Sequence, residues 1–154
     1  MRAGCLLSCQ GEFNVELKFK KLHPDAKLPT YATPGSACFD FYSMENVWLS
    51  RSHTFQTGLA VEIPEGHVLQ IHSRSGMGFN QGIRLANCTG IIDADYRGEI
   101  CIKLFVDGHG HLEINPGDRI AQGILLKADQ VGLSWSDELS ETERGSGGFG
   151  STGN

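Results

Sequence analysis

Apolar and polar residues alternate with a period of two along much of the chain, which is the pattern of strands with one buried face. Val15, Leu17 and Phe19 are separated by the charged residues Glu16 and Lys18. The same alternation, or a short apolar run of strand length, predicts six further strands: residues 59–63, 67–72, 83–86, 100–106, 112–114 and 119–126. So many short strands favour an all-β sandwich or barrel.

Turn-forming residues separate the predicted strands. Asp107-Gly108 predicts a hairpin in which residues 112–114 return beside residues 100–106. One short helix is predicted within Ser75 to Gly82. After Leu133 the chain has too few apolar residues to pack against a core, which predicts a linker.

The 154 residues are enough for one domain with its own core. We divide the chain into a loose N-terminal extension (residues 1–13), a β domain (residues 14–133) and a linker that ends in a flexible glycine-rich segment (residues 134–154).

Composition limits the partners and the compartment. A net charge of −5 opposes general binding to the nucleic acid backbone, and no segment approaches the ~20 apolar residues of a membrane span. The five cysteines include no CxxC pair and suit a reducing compartment. We therefore expect a cytoplasmic protein (nuclear or host-cytoplasmic in a eukaryote or virus) with no nucleic-acid or membrane partner.

The C-terminal residues Arg144 to Asn154, RGSGGFGSTGN, combine three groups that recognise nucleotides. An arginine binds phosphate, an aromatic ring stacks on a base, and glycines leave backbone N–H groups free for an anion. Two interpretations remain open at this point, a disordered end and a segment that closes over a nucleotide. A phosphate-binding P-loop is excluded because no lysine follows Gly150 and no helix can follow it.

Three internal segments also carry candidate chemistry, each with a structural alternative. In TGIIDADYRGEI, Asp93 and Asp95 would share one face of a regular strand. The segment provides either a carboxylate that activates water, with the ring of Tyr96 beneath a sugar or base, or a pair of solvated turn residues. In SRSGMG, Arg74 and its neighbours form either a phosphate site or a polar turn. Asp40 is a carboxylate among apolar residues, so it pairs with an arginine or serves a site.

Together, five segments in this order resemble the motifs of the trimeric dUTP pyrophosphatases (dUTPases): GSACFDFYS, SRSGMG, TGIIDADYRGEI, PGDRIAQ and RGSGGFGSTG. The resemblance extends from about Val15 to Gly153. It implies an all-β, jelly-roll-like sandwich or barrel of the β-clip type with one short helix, assembled as a homotrimer with sites at the subunit interfaces. It also implies hydrolysis of dUTP to dUMP and pyrophosphate, which limits uracil incorporation into DNA and supplies dUMP.

The resemblance assigns roles to individual residues. Asp93 is implied as the general base, and Tyr96 packs against the deoxyribose. Mg²⁺ is the implied cofactor, held by the phosphates without a direct protein ligand and touched by Asp40 only through water. Arg119 is implied to support the site or the interface. The implied substrate-binding residues are Arg74, Ser75, Gly76 and Gln122 at the phosphates, Asn87, Gly90, Ile91, Ile92 and Cys101 at uracil, and Arg144, Phe149, Gly150, Ser151 and Thr152 in the C-terminal segment.

Two positions depart from the family pattern, and two other functions stay open. Cys38 stands where the family usually has glycine, and Ser73 stands where it usually has proline. The alternatives are a dCTP deaminase, which shares this fold, and a nucleotide-gated regulatory binding protein that uses residues 1–13.

Overall fold

Antiparallel strands and one short helix form the regular structure of the chain in a computed structural model, which describes residues 15–108, 110–149 and 151. The strands are β1 (Lys18–Lys21), β2 (Thr30–Tyr31), β3 (Phe39–Tyr42), β4 (Val47–Leu49), β5 (Ser52–Gln56), β6 (Leu59–Glu62), β7 (His67–His72), β8 (Ile83–Leu85), β9 (Thr89–Ile92), β10 (Cys101–Val106), β11 (Leu112–Ile114) and β12 (Arg119–Lys127). The helix is α1 (Ser75–Gln81). The predicted all-β class with one short helix is confirmed.

Two larger sheets enclose the core. The five-stranded sheet has the order β2-β3-β12-β7-β9, the three-stranded sheet has the order β5-β10-β8, and β1-β6 and β11-β4 form two further pairs. Side chains from both larger sheets meet in one hydrophobic cluster, for example Phe41 and Leu69 with Phe55 and Leu104. This arrangement is a jelly-roll-like sandwich, as the resemblance implied.

An aromatic cluster fills one end of the core. The rings of Phe19, Phe39 and Phe41 meet edge to face, with centroids 5.6 to 6.4 Å apart. Gly123 on β12 lies directly against this cluster, and a Cβ atom there would come within 2.7 Å of Phe39 Cε2. A glycine is required at this position because the backbone of β12 approaches the aromatic rings so closely.

Helix α1 follows β7 after two residues and ends at Gly82, whose φ of +62° lies in the left-handed region that favours glycine. Met77 anchors the helix in the core, whereas Phe79 is almost fully exposed. In the described part of the chain, no helix is long and apolar enough to cross a membrane.

The predicted hairpin at Asp107-Gly108 is wrong. β11 exists, but it pairs with β4 and not with β10. The residues between β10 and β11 are enough for the chain to leave one sheet and reach another. Turn-forming residues such as Asp107-Gly108 show where the chain turns, but they do not determine which strand the next one pairs with.

The segment between β9 and β10 is not a hairpin, because these two strands do not pair with each other. β9 pairs with β7 in one sheet, and β10 pairs with β5 and β8 in the other. Asn87 to Cys101 is therefore a strand and a loop that connect two sheets. β9 ends at Ile92, so Asp93 and Asp95 lie in a turn and do not share a strand face as predicted.

The chain leaves the sheets after β12. Every residue from Asp129 to Ser146 is exposed, including the large apolar residues Leu133, Trp135 and Leu139. The proposed N-terminal extension, residues 1–13, lies outside the described residues.

Candidate functional site

A cleft of about 410 Å³ opens where the two larger sheets meet through β7, β8, β9 and β10. Its lining includes all five residues that the family resemblance assigns to the base: Asn87, Gly90, Ile91, Ile92 and Cys101. The structure therefore brings these five residues together around one cavity. Apolar walls with backbone polar groups between them suit a flat, polar ring.

Backbone geometry keeps this cleft open. Gly90 lies opposite Ile71 on β7, and a Cβ atom at Gly90 would come within 3.3 Å of Ile71 Cβ. Cys88 forms the turn before β9 with a φ of +62°, a left-handed conformation that costs free energy for a residue with a side chain. The Cys88 N–H donates to the carbonyl oxygen of Leu85 at 3.2 Å, which closes the turn.

Asp93 directly follows Ile92, the last residue of β9 and part of the cleft lining, and its carboxylate is free to bind a ligand. The residue is exposed, and among the described residues no side chain or N–H donates a hydrogen bond to its carboxylate. Its carbonyl oxygen accepts from the N–H of Tyr96 at 3.1 Å, which fixes the backbone of the turn. An unpaired carboxylate on a fixed backbone can orient and deprotonate a water molecule.

Arg97 also stabilises this turn, a role that the sequence did not indicate. Its Nη1 donates to the carbonyl oxygens of Ala94 at 2.6 Å and Tyr96 at 2.9 Å. These bonds depend on the folded path of the turn, so residue types and spacing give no signal for them.

Tyr96 is held by its hydroxyl group. Tyr96 Oη donates to the carbonyl oxygen of Glu99 at 2.9 Å, and the ring lies so close to Gly98 that a Cβ atom there would overlap it. The carboxylate of Glu99 accepts in turn from the N–H of Gly58 at 2.7 Å. Tyr96 remains 42% exposed, so its fixed ring is available to a ligand.

Asp40 binds two arginines, which agrees with one of the two expectations for this carboxylate. The residue is 6% exposed on β3. Arg74 Nε donates to Asp40 Oδ1 at 2.9 Å, and Arg119 Nη1 donates to Asp40 Oδ2 at 3.4 Å. One buried carboxylate thus orients two guanidinium groups, whose remaining N–H donors can bind an anion.

A β-bulge in β12 places Arg119 in this cluster. Arg119 pairs with Tyr42 and Ala121 pairs with Phe41, so Ile120 is an extra residue in the ladder. Ile120 and Ala121 are both buried, although consecutive strand residues normally face opposite ways. The bulge therefore turns Arg119 to the same side as Gln122, which lies opposite Asp40.

The other expected phosphate-binding residues lie beside Arg74. Ser75 and Gly76 are exposed at the start of α1. Gln122 Nε2 donates to the carbonyl oxygen of Ser73 at 3.0 Å, so part of its amide supports the loop. Arg74, Gly76 and Arg119 line a second cleft of about 380 Å³ between α1 and β11.

No described residue of the C-terminal segment lines either cleft. Arg144 Nε donates to the carbonyl oxygen of Gly147 within its own turn at 2.8 Å. Phe149 has a φ of +47° and is fully exposed, and Ser151 is also exposed. Gly150 and Thr152, two further predicted residues, lie outside the described residues. The two clefts share no lining residue, so one chain presents the predicted site residues in three separate groups.

Replacing Asp40 by asparagine is expected to lower the free energy of unfolding by about 1–3 kcal/mol, because two guanidinium groups lose their ionised acceptor. The arginine side chains are 25% and 46% exposed, which limits the loss. Urea unfolding measures it. Glu62→Gln is the matched control, since it removes a 2.8 Å ion pair with Lys18 at a site open to water. Equal losses in the two variants would contradict the structural importance of the Asp40 cluster.

Comparison with known proteins gives one consistent result. The dUTPase family matches residues 24–153 of the chain. The chain is 44% identical over 141 residues to the deoxyuridine 5'-triphosphate nucleotidohydrolase of Nautilia profundicola, a match covering 90% of this chain and 99% of that protein. It is 38% identical over 142 residues to the protein of the same name from Helicobacter pylori (strain ATCC 700392 / 26695), covering 90% and 97%.

Solved structures agree with these relatives. A mutant dUTPase of Staphylococcus bacteriophage 80alpha, solved with dUpNHpp, superimposes with a TM-score of 0.83 at 29% identity, covering 90% of this chain and 99% of that one. A mutant dUTPase from phage phi11 of S. aureus, whose structure describes a structural Mg(II) ion, gives a TM-score of 0.72 at 26% identity, covering 82% and 99%. The matches include the β domain and the C-terminal segment, and the chain belongs to the dUTPase family.

Proposed function

We propose that the protein hydrolyses dUTP to dUMP and pyrophosphate by attack of water on the α-phosphorus. One observation carries the proposal: Asp93, whose carboxylate has no hydrogen-bond donor among the described residues, directly follows Gly90, Ile91 and Ile92, which line the cleft. The curated relatives bear the name of this activity. None of them supports deamination of dCTP.

The base is selected by the shape and the polar groups of the 410 Å³ cleft. Backbone N–H and C=O groups held in a strand and a turn can pair with the edge of uracil, whereas the edge of cytosine leaves them without partners. Asn87 supports the pocket, and the backbone near Cys101 completes it. Tyr96, fixed by its bond to Glu99, packs against the deoxyribose and excludes a 2′-hydroxyl group.

Asp93 acts on the water and the arginine cluster acts on the phosphates. The carboxylate of Asp93 accepts a proton from the attacking water, and the electron pair of the cleaved P–O bond leaves with pyrophosphate. Arg74 binds phosphate oxygens through the guanidinium donors that Asp40 does not occupy. Ser75, Gly76 and Gln122 add donors from the same loop and from β12.

The described residues fit a Mg²⁺ ion that arrives with the substrate. They contain no group of three His, Cys, Asp or Glu residues that could hold a metal ion. Asp40 is nearly buried, but its Oδ2 contact with Arg119 is long at 3.4 Å and leaves capacity to accept from a metal-bound water. An ion bound there through phosphate oxygens and water would supply positive charge to offset the negative charge that develops on the leaving group.

The active form we propose is a homotrimer in which each site combines groups from more than one chain. The cleft at Gly90 and the cleft at Arg74 share no lining residue within one chain, and no described residue of the C-terminal segment lines either of them. Leu133, Trp135 and Leu139 are large apolar residues on an exposed segment, which a neighbouring chain can cover. Light scattering at assay concentration should give three times the chain mass, and a monomer would contradict shared sites.

The proposed partners are therefore dUTP and further copies of the chain. We place the protein in the cytoplasm because Cys38, Cys88 and Cys101 are free thiols, which a reducing compartment maintains. A regulatory role for residues 1–13 concerns a segment outside the described residues.

The activity is tested by incubating the full chain with Mg²⁺ and each nucleotide in turn. Pyrophosphate and dUMP should form from dUTP, with dCTP, dTTP and UTP hydrolysed far more slowly. Ammonia release from dCTP would favour the deaminase, and no product from any nucleotide would contradict an enzymatic role.

Binding of a uracil nucleotide is expected to slow alkylation of Cys101, because this thiol lines the proposed base cleft. Cys101 is exposed as a residue, but partial desolvation of its thiol, and secondly the charge of Glu99, raises the pKa of Cys101. Reaction with iodoacetamide should therefore be slow at neutral pH and accelerate as the pH rises. Peptide mass spectrometry with and without dUMP measures the rate. The corresponding cytosine nucleotide, dCMP, is the control ligand and should give no protection; equal protection by both would contradict base selection at this cleft.

A further inference from the structure

Ser73 lies between β7 and α1 and is hydrogen-bonded through both its side chain and its backbone. Its Oγ accepts from the N–H of Leu85 at 2.8 Å. Its carbonyl oxygen accepts from Gln122 Nε2 at 3.0 Å. Ser73 is the residue immediately before Arg74, and it is only partly exposed.

The bond to Leu85 connects the two larger sheets. Leu85 lies on β8, which is the edge strand of the three-stranded sheet, whereas Ser73 continues β7 of the five-stranded sheet. The N–H of the next residue, Ala86, donates to Lys103 on β10 at 2.9 Å. Because successive N–H groups of a strand point to opposite sides, the Leu85 N–H points away from β10, and the Ser73 hydroxyl supplies its acceptor.

The bond to Gln122 attaches the same loop to β12. Gln122 pairs with His72, the last residue of β7, so the regular ladder stops one residue before Ser73. The hydrogen bond from the Gln122 side chain to the Ser73 carbonyl oxygen connects β12 to the residue that follows the ladder. The backbone entering Arg74 is thus fixed from two directions, by β8 and by β12, before the Arg74 side chain reaches Asp40.

We propose that Ser73 is a positioning residue that holds the Arg74 guanidinium in place for the phosphates of the substrate. The inference rests on the proposed function, since it assumes that Arg74 binds those phosphates. Ser73 itself touches no substrate. Its hydroxyl group defines where the loop starts, and a small displacement of a binding group weakens interactions that depend on direction, such as those of a guanidinium with phosphate.

The test measures the affinity for dUpNHpp, in which an imido group replaces the bridging oxygen of the bond to be cleaved. Isothermal titration calorimetry would be applied to wild type, Ser73→Ala, Ser73→Thr, Arg74→Gln and the double variant Ser73→Ala with Arg74→Gln. We expect Ser73→Ala to weaken binding about tenfold, and Ser73→Thr, which keeps the hydroxyl group, to stay within about twofold of wild type. In the Arg74→Gln background, Ser73→Ala should change the affinity less than about twofold, because its effect acts through Arg74.

Ser43→Ala controls for a loss of stability alone. Ser43 Oγ accepts from the N–H of Glu45 at 3.0 Å in the loop after β3, so the variant loses a bond of the same kind. Both alanine variants should lower the urea midpoint, but only Ser73→Ala should weaken dUpNHpp binding.

The outcomes separate the two proposals. Wild-type protein that fails to bind dUpNHpp overturns the proposed function, and with it the inference about Ser73. Tight wild-type binding with an unchanged Ser73→Ala affinity overturns the inference alone. The inference is also overturned if Ser73→Ala weakens dUpNHpp binding equally with and without Arg74, because a merely structural serine would act independently of the arginine.

Discussion

The Asp93→Asn variant is expected to lose about 10² to 10⁴-fold in kcat for dUTP while binding dUpNHpp within a fewfold of wild type. General-base catalysis contributes a factor of this size, and an amide cannot accept the proton of the attacking water. Asp93 is exposed and has no described donor on its carboxylate, so the substitution removes no contact that holds the fold. The loss should therefore appear in kcat and not in the urea midpoint.

Asp95→Asn is the matched control for this prediction. Asp95 lies two residues away in the same turn, is equally exposed and carries the same charge, but it has no proposed role in the chemistry. Pyrophosphate release should stay within about twofold of wild type, the range normal for an exposed surface change. Similar losses in both variants would indicate a general effect of charge in the turn and would exclude Asp93 as the specific base.

Deletion of Gly145 to Asn154 is expected to reduce kcat/KM for dUTP by about 10²-fold or more, with the oligomeric state unchanged. The deleted segment contains Phe149, whose ring is fully exposed and free to stack on uracil. Stacking of a base on an aromatic ring is worth ~1–3 kcal/mol, or about 10- to 10²-fold in affinity. The deletion also removes the glycines that, in the proposed function, would let the segment close over the nucleotide and exclude water from the phosphates.

Point variants at Phe149 separate stacking from closure. Phe149→Tyr keeps an aromatic face and should retain most of the activity. Phe149→Ala should show a large part of the decrease in kcat/KM that the deletion causes. Steady-state kinetics and light scattering on the three variants provide the comparison. A deletion variant with near-normal kcat/KM would show that the glycine-rich segment is a passive end of the chain.

The period-two pattern predicted the strands that have one buried and one exposed face. β10 is the clearest case, since its exposed Cys101 and Lys103 alternate with buried Ile102 and Leu104. The helix within Ser75 to Gly82 is also confirmed. Both depend on local sequence, because one apolar face per element determines how the element packs.

The strands β2 to β5 were not predicted, for reasons that lie in their surroundings. Three consecutive residues of β3, from Phe39 to Phe41, are buried, so the strand has no alternation and contains a carboxylate. The buried Asp40 is stable there only because Arg74 and Arg119 reach it from other elements. The pairing of β11 with β4 is likewise a property of the assembled fold.

The candidate site, too, was predicted only in part from the sequence. The residues of the base cleft were named from the sequence, and the structure gathers them around one cavity. Their catalytic and binding roles remain predictions that the experiments above test. The supporting contacts of Ser73 and Arg97 were not foreseen, since each joins residues whose proximity depends on turns and on sheet packing.

The bulge at Ile120 also affects how the chain finds its fold. A β12 strand that paired with β3 without the extra residue would turn Arg119 towards the core. Burying a guanidinium group without a partner costs several kcal/mol, so this shifted pairing is disfavoured as soon as the sheet closes. Arg119 therefore selects the register during folding, and its loss should increase misfolding even in protein that never meets a substrate.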